Sequence, residues 1–239
     1  KGALTLSRVE DIYLPYRPKR RTKGTIAKEK GLEPLAKNLF TGSITDIEQA
    51  ASEYINQEKG VSTTEDALEG ARHIISEWIN EDAGSRETMR IFFEKNASMT
   101  SSLSGKETDD ARKYRDYFEW SEKAADAPSH RILALLRGAE EGHLTVHFMP
   151  DEDAAAGILE QTFTTGEGAA AEQVKLAARD AYKRLMGPSM ETELRSRLKK
   201  QADEEAIRVF AENVRELLLS SPMGEKATLA VDPGLRTGC

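Results

Sequence analysis

The sequence predicts a mainly α-helical protein whose multi-helix lobes are linked by a long spine helix, with one small β element near residues 143–165. Three observations lead to this class. Apolar residues recur at steps of three or four along most of the chain, which is the period of one helix face. One such pattern covers residues 190–219, about 45 Å at 1.5 Å per residue. Residues 143–150, HLTVHFMP, instead alternate apolar and polar side chains as a strand does.

The first 40 residues are predicted to hold short helices separated by proline and glycine. One helix ends before Pro15 and Pro18, because each proline removes a backbone donor and fixes φ. A second helix starts near Thr25. Gly31 and Pro34 then indicate a break before a third helix, which reaches about residue 40.

The middle of the chain is predicted to be helical around one loop. Ser62 and Glu65 have the spacing of a capping box, so we expect a helix to start there. Residues 97–105 are rich in serine and threonine, which favours a loop. The helices predicted on either side of this loop cover residues 45–59, 62–79, 85–96 and 107–119.

The last third is predicted to contain the strand, the spine helix and three shorter helices. The partner of the 143–150 strand is predicted at residues 162–165. Gly187 and Pro188 are expected to break the chain before the spine helix, which Ser189 caps. Residues 228–231 form a further predicted strand. The three shorter helices are predicted at residues 129–142, 153–161 and 167–186.

A dense run of cations follows the two early prolines: Arg17, Lys19, Arg20, Arg21 and Lys23. Between residues 17 and 30, seven basic residues are opposed only by Glu29. The whole chain has a formal net charge of −7, so any nucleic-acid contact has to be local. Held on a stiff turn, these cations present a concentrated positive charge to phosphate or carboxylate.

Two interpretations of these cations stay open. They bind phosphates of RNA or DNA without reading the base sequence, since no groove-reading motif accompanies them. Alternatively, the arginines pair with acidic residues of neighbouring helices and hold the turn in place. The nearby Tyr13, Pro15 and Tyr16 suit packing and support this second interpretation. Both hold if only some of the cations are exposed.

The remaining candidate side chains favour structure over chemistry. Tyr114, Tyr117, Phe118 and Trp120 form an aromatic cluster that suits either base stacking or core packing, and we favour packing because helices flank it. His143 and His147 would stand about 13 Å apart on one strand, too far to share a zinc ion. The sequence therefore predicts no cofactor.

Three stretches of the sequence support a family resemblance. They are EDIYLPYRPKRRTKGTIAKEKGLEPLA (residues 10–36), SHRILALLRGAEEG (129–142) and AVDPGLRTGC (230–239). These stretches resemble the bacterial transcription accessory protein Tex family, and with residues 193–219 the resemblance covers nearly the whole chain.

The resemblance implies a domain organisation. Residues 1–222 correspond to the helical region of the family, in lobes of about 1–105 and 106–222. Residues 223–239 correspond to the truncated start of an RNase H-like domain. Members of the family also carry helix-hairpin-helix elements and a carboxyl-terminal S1 RNA-binding domain, so the family's main RNA-binding module lies outside this chain.

The resemblance also implies work on transcription. We expect the chain to be a helical scaffold of a nucleic-acid-binding transcription accessory or elongation protein, with RNA or DNA bound independently of base sequence. The alternative is a protein-docking module, with RNA polymerase as the candidate partner. A cytoplasmic protein without membrane attachment is expected, because no apolar run approaches about 18 residues and no signal peptide begins the chain.

Asp232 carries the only enzymatic hypothesis. It follows the apolar run LAV and resembles the first-strand carboxylate of the two-metal site in RNase H-like nucleases. That chemistry needs further carboxylates from later strands, and the chain ends seven residues after Asp232. We therefore expect no enzymatic activity from this chain, and a part in a metal-dependent nuclease is the least favoured interpretation.

Overall fold

A computed structural model describes residues 6–18 and 21–231. Its described helices are α1 Leu6–Tyr13, α2 Lys23–Glu29, α3 Glu33–Phe40, α4 Ile47–Ser52, α5 Thr64–Glu81, α6 Ala83–Asn96, α7 Ser129–Glu140, α8 Glu152–Phe163, α9 Ala169–Asp180 and α10 Gly187–Leu219. Three strands, β1 Ser98–Leu103, β2 Glu119–Lys123 and β3 Leu144–Met149, form one sheet. The predicted class, mainly α with a long helix and one small β element, is confirmed.

The sheet has the order β2-β1-β3, with both pairs antiparallel. The predicted loop at 97–105 is wrong, because β1 is the central strand. The partner predicted at 162–165 is also wrong, because α8 extends to Phe163 and β3 pairs with β1. The alternation in β1 is hard to see because Ser101 is polar and yet buried, where its hydroxyl donates to the Tyr117 carbonyl oxygen at 2.6 Å.

The predicted break at Gly187 and Pro188 is wrong as well. A π-helical turn, Ala181–Met186, joins α9 to α10 without a gap. The Gly187 N–H donates to the Tyr182 carbonyl, five residues earlier. In a regular helix the Pro188 ring would clash with the carbonyl four residues back. The wider turn just before it lets the helix continue.

Three local boundaries differ from the prediction. The segment predicted as one helix at 45–59 is α4 followed by a short 3-10 turn, Gln57–Lys59. The segment at 107–119 forms 3-10 turns over Ala111–Tyr117 before β2 begins. The capping box of α5 lies one residue later than predicted: the Thr63 hydroxyl accepts from the Asp66 N–H at 3.1 Å, and the Asp66 carboxylate accepts from the Thr63 N–H at 2.9 Å.

The predicted strand at 228–231 is not formed. These residues are exposed and have no regular secondary structure. A strand needs a neighbouring strand to satisfy its backbone hydrogen bonds. In the described part of the chain, β1, β2 and β3 pair only with one another, so residues 228–231 have no strand to pair with.

One cluster of buried side chains runs from α2 to α10. Helix α5 contributes Ile74, Ile75 and Ile79, which are fully buried, and it packs against α2, α3, α4 and α9. The aromatic cluster also joins this core: Tyr114 is buried, and Tyr117, Phe118 and Trp120 are partly buried against it. The buried core includes residues of both predicted lobes. The division into lobes of about 1–105 and 106–222 stays a prediction.

Helix α10 has two unlike halves. Its buried residues are Gly187, Met190, Leu194 and Ala202. Beyond Ala202 most apolar residues are exposed, with Ile207 at 68% and Phe210 at 69%, and Val214 is half-buried. The first half therefore belongs to the core, and the second half offers an uncovered apolar surface.

Candidate functional site

The candidate site is the segment of residues 14–23, which we call the basic turn. Lys19 and Arg20 lie outside the described residues. The other three predicted cations, Arg17, Arg21 and Lys23, are exposed. The structure therefore places these three at the surface.

The entry to the basic turn is stiff. Helix α1 ends at Tyr13, and Leu14–Tyr16 forms a 3-10 turn in which the Arg17 N–H donates to the Leu14 carbonyl at 3.3 Å. Arg17 is extended, with φ −67° and ψ 133°, as the residue before a proline prefers. The two prolines thus define the local path of the backbone.

Helix α1 is held by a buried carboxylate. Asp11 is 3% exposed, and its two oxygens accept from Arg86 Nε at 2.5 Å and from an Arg90 terminal nitrogen at 2.6 Å. Both arginines lie one helical turn apart on α6, so they converge on a single carboxylate. These charge-assisted hydrogen bonds hold the residues just before the basic turn in place.

The same arginines reach α10. Arg90 Nε donates to Glu193 Oε1 at 2.6 Å, and Arg86 donates to the Ser189 hydroxyl at 3.0 Å. Burial disfavours the charge on Arg90, but the hydrogen bonds to Glu193 and Asp11 outweigh it and raise the pKa of this guanidinium. The network joins α1, α6 and α10, and sequence reasoning missed it because its members are far apart in the chain.

The exit from the basic turn is anchored by a helix cap. Thr22 caps α2: its hydroxyl accepts from the Thr25 N–H at 3.1 Å, and its own N–H donates to the Thr25 hydroxyl at 2.7 Å. Helix α2 therefore begins at Lys23, two residues before the predicted start. This reciprocal pattern is a capping box with threonine at the position where glutamate is common.

A buried glutamate also anchors the exit. The Gly24 N–H donates to Glu77 Oε1 of α5 at 3.0 Å, and Glu77 is 6% exposed. A Cβ atom on residue 24 would lie 2.4 Å from the Glu77 carboxyl carbon, so any larger residue here would displace the Glu77 carboxylate from this hydrogen bond. The basic turn is thus fixed to the core on both sides.

The one described ion pair within the predicted cation set is weakly held. An Arg21 terminal nitrogen lies 2.9 Å from Glu29 Oε2, and the two side chains are 70% and 58% exposed. Exposed pairs of this kind contribute little stability and are screened by salt. Arg21 therefore remains accessible to a phosphate that competes with Glu29.

The tyrosines of this region do not pack as expected. Tyr13 is 55% exposed and Tyr16 is 78% exposed, so the expectation that these two rings pack is wrong. A tyrosine buries its ring only where a neighbouring element covers it, and the described part of the chain leaves most of both rings uncovered.

A cleft of about 640 Å³ opens beside the basic turn, between α1 and α10. Its lining includes Glu10, Asp11, Arg17, Arg86 and Glu193. The two signs of charge are mixed in this lining, so the cleft does not favour an anion. Arg21 and Lys23 are exposed and do not line this cleft, so they are better placed for phosphate.

Metal chemistry finds no support among the described residues. Asp232 lies outside them, and within 6–18 and 21–231 there is no group of three or more potential metal ligands. His147 Nδ1 lies 3.1 Å from Glu191, and the His143 ring lies 6.0 Å from that of Tyr114.

No helix in the described ranges is both long and apolar enough to cross a bilayer.

Comparisons with known proteins point to one family. The model of the Tex central region-like family matches residues 44–210. Protein YhgF of Escherichia coli is 41% identical over 253 residues, covering 99% of this chain and 32% of that protein. Protein tex of Bordetella pertussis is 38% identical over 252 residues, covering 99% and 32%.

A further relative carries a more informative name. Transcriptional accessory protein Tex of Neisseria gonorrhoeae is 39% identical over 239 residues, covering 96% of this chain and 31% of that protein. The chain spans about a third of the length of these relatives. The basic turn lies before the residues that the family model matches.

Proposed function

The chain belongs to the Tex central region-like family, and we propose on this basis that it is the helical scaffold of a transcription accessory protein. The name of the Neisseria gonorrhoeae relative supports a role in transcription. We propose further that the basic turn contacts the phosphate backbone of RNA or DNA, and that the activity of the chain is binding rather than catalysis.

One observation carries the phosphate contact: three exposed cations lie on the two described segments that flank residues 19–20, and each segment is anchored to the core. Arg17, Arg21 and Lys23 are at the surface, while Asp11 holds the preceding helix and Glu77 holds the following one. A preorganised backbone loses less conformational entropy when it binds. The geometry is therefore better suited to a phosphate chain than a flexible basic tail would be.

Phosphate contacts position a nucleic acid without reading its sequence. The expected binding is therefore independent of base sequence and falls steeply with salt, because each contact releases counterions. With a net charge of −7, most of the surface repels nucleic acid, and this confines binding to the basic turn.

The test is a salt series on the whole chain. Binding of a fluorescent single-stranded RNA and of a duplex DNA is measured by anisotropy for the wild type and for Arg17→Gln with Arg21→Gln. Loss of two phosphate contacts should reduce the slope of log K against log salt by about 1.4 on single strands and by about 1.8 on duplex.

A matched control removes two other exposed cations. Lys183 and Lys200 have side chains that are 76% and 78% exposed and lie outside the basic turn. The variant Lys183→Gln with Lys200→Gln has the same net charge as the test variant and should keep the wild-type slope. If both double variants lose the same slope, the phosphate contact at the basic turn is wrong.

A second candidate, protein docking, is favoured by the exposed half of α10. Ile207, Phe210 and Leu217 are each at least 68% exposed, and apolar surface of this kind is typical of a protein interface. RNA polymerase is the candidate partner. Capture of purified polymerase by the chain, lost on Ile207→Ser with Phe210→Ser but kept on Arg17→Gln with Arg21→Gln, would favour docking.

A further inference from the structure

We propose that strand β2 is a docking surface for a second copy of this chain, and that two copies pair antiparallel through their β2 strands around a two-fold axis at Ser121. This association goes beyond the proposed phosphate contact and is independent of it. The two edges of the sheet differ in how they are covered, and this difference leaves β2 open to a further strand.

One edge of the sheet is blocked by a helix and the other is open. At the β3 edge, the Phe148 N–H donates to Glu191 Oε1 of α10 at 2.9 Å, and α10 packs against β3. At the other edge, β2 pairs with β1 alone in the described part of the chain. The β2 edge is therefore the one to which a further strand can add.

The hydrogen-bonding groups along the open edge follow from the pairing of β2 with β1. The Ala124 N–H donates to the Ala97 carbonyl at 2.9 Å, and residue pairs in an antiparallel ladder alternate between hydrogen-bonded and non-hydrogen-bonded. In this alternation the β2 residues that bond to β1 are Trp120 and Glu122. The β2 residues that direct their backbone N–H and C=O groups outwards are Glu119, Ser121 and Lys123.

The side chains of β2 differ between its two faces. On one face, Glu122 accepts from an Arg131 terminal nitrogen of α7 at 2.6 Å, and the central carbon of the same guanidinium lies 5.0 Å from the centre of the Trp120 ring. On the other face, Glu119 and Lys123 are exposed, and neither has an ion-pair partner in the described part of the chain. This exposed face therefore presents one free charge of each sign.

A two-fold axis at Ser121 brings these opposite charges together. Glu119 and Lys123 each lie two residues from Ser121, so antiparallel pairing places Glu119 of one copy opposite Lys123 of the other on both sides of the axis. Charges on an edge strand oppose pairing unless they meet charges of opposite sign. A register shifted by two residues would place Glu119 opposite Ser121, or Glu122 opposite Glu122, and would leave an outward-facing residue unpaired. The β2 sequence therefore fits its own copy in one register.

Pairing of two copies also ends the growth of the sheet. The combined sheet has β3 at both ends, and α10 covers that edge through Glu191. The two-fold arrangement therefore closes at two copies and does not extend into a fibre. Because β2 has only five residues, the contact is small, and we expect a weak dimer whose population depends on protein concentration.

The experiment measures the dimer dissociation constant of the whole chain by sedimentation over a range of protein concentrations. Glu119→Lys and Lys123→Glu each turn both cross-strand pairs from attractive to repulsive and should weaken the dimer at least about tenfold. An equimolar mixture of the two variants restores opposite charges across the axis, so it should dimerise as the wild type does. The control Lys183→Glu reverses an exposed charge outside β2 and should leave the constant unchanged.

A further variant tests the backbone pairing without a change of charge. Ser121→Pro removes an N–H that faces away from β1, so the existing sheet keeps its hydrogen bonds, whereas the dimer should weaken about tenfold. Circular dichroism and thermal unfolding check that the variant is folded; if it is not, the charge-reversal mixture decides alone. Ile207→Ser with Phe210→Ser should dimerise as the wild type does, because the exposed half of α10 is not part of this contact.

Four results would overturn the proposed dimer. One is a wild type that stays monomeric at every concentration. Another is a monomeric mixture of Glu119→Lys and Lys123→Glu, since the charges would then not meet across the axis. A folded Ser121→Pro with the wild-type constant would exclude pairing through the β2 backbone. Loss of the dimer in the α10 variant, without loss in the β2 variants, would assign the association to the apolar half of α10.

Discussion

Two sets of arginines lie near the same end of the molecule and serve different purposes. Arg86 and Arg90 of α6 have side chains that are 8% and 12% exposed, and both bind the buried Asp11. Arg21 in the basic turn is 70% exposed and pairs with the exposed Glu29 at 2.9 Å. The ion-pair distances are similar, yet only the first pairs are protected from water.

The difference shows that solvent exposure, more than distance, decides what an ion pair does. A buried pair has lost its hydration, so removing one partner leaves an uncompensated charge. An exposed pair exchanges readily with water, salt or a ligand. The buried arginines therefore position the basic turn, and the exposed cations remain accessible for binding.

The largest expected effect comes from removing the buried acid. Asp11→Asn leaves Arg86 and Arg90 without their common carboxylate and should lower the free energy of unfolding by about 3 kcal/mol. Urea denaturation measures this change. The matched control is Glu29→Gln, which removes the exposed partner of Arg21 and should leave the urea midpoint unchanged.

The same pair of variants tests the comparison in binding. Glu29→Gln frees Arg21 and removes a negative charge from beside the basic turn, so it should strengthen nucleic-acid binding slightly at low salt. If Glu29→Gln destabilised the protein as much as Asp11→Asn, the distinction between the buried and the exposed pairs would be wrong.

A smaller loss is expected at the exit from the basic turn. Gly24→Ala places a Cβ atom 2.4 Å from the Glu77 carboxyl carbon and disturbs its hydrogen bond to the residue 24 N–H. Overpacking and the loss of a buried hydrogen bond should together lower the free energy of unfolding by about 2 kcal/mol. The matched control is Gly84→Ala on α6, where the nearest atom is 3.4 Å away; an equal loss there would contradict the role of Glu77.

The smallest expected effect concerns His73, which lies between the buried and exposed extremes. Burial lowers its pKa below the ordinary 6.5, Lys23 and Arg184 lower it further, and Asp180 and Glu69 oppose them. As pH falls through 6.5, the unfolded chain takes up a proton that the folded chain does not, so stability should decrease. His73→Gln should therefore show a smaller drop in urea midpoint between pH 7.5 and pH 5.5 than the wild type; an equal drop would assign the pH dependence to other groups.

The sequence predicted the fold best where the governing interactions are local. The end of α1 before Pro15, the break near Gly31 and the apolar stripe of α5 all follow from residues within a few turns of each other. The sequence also predicted the strand β3, but neither β1 nor the pairing of β1 with β3 could be predicted in this way, because strand pairing joins residues far apart in the chain.

The candidate site divides along the same line. The sequence identified the cations of the basic turn, and the structure places the described ones at the surface. It did not identify Asp11 or Glu77 as the residues that hold the turn, because Arg86 and Gly24 bind them across 75 and 53 positions of the chain. It also regarded Tyr16 as suited to packing, and the structure leaves this side chain 78% exposed. The exposure of a tyrosine depends on whether another element covers it, which the local sequence does not show.

The sequence by itself determined the helical class, the short helices bounded by proline and glycine, and the charge of the basic turn. Only the tertiary structure decided that β1 is a strand, that the helix continues through Pro188, that Asp11 binds two arginines and that Tyr16 is exposed. Periodicity, turn residues and charge act over a few neighbouring residues, whereas strand pairing, burial and ion pairing depend on segments that the fold brings together.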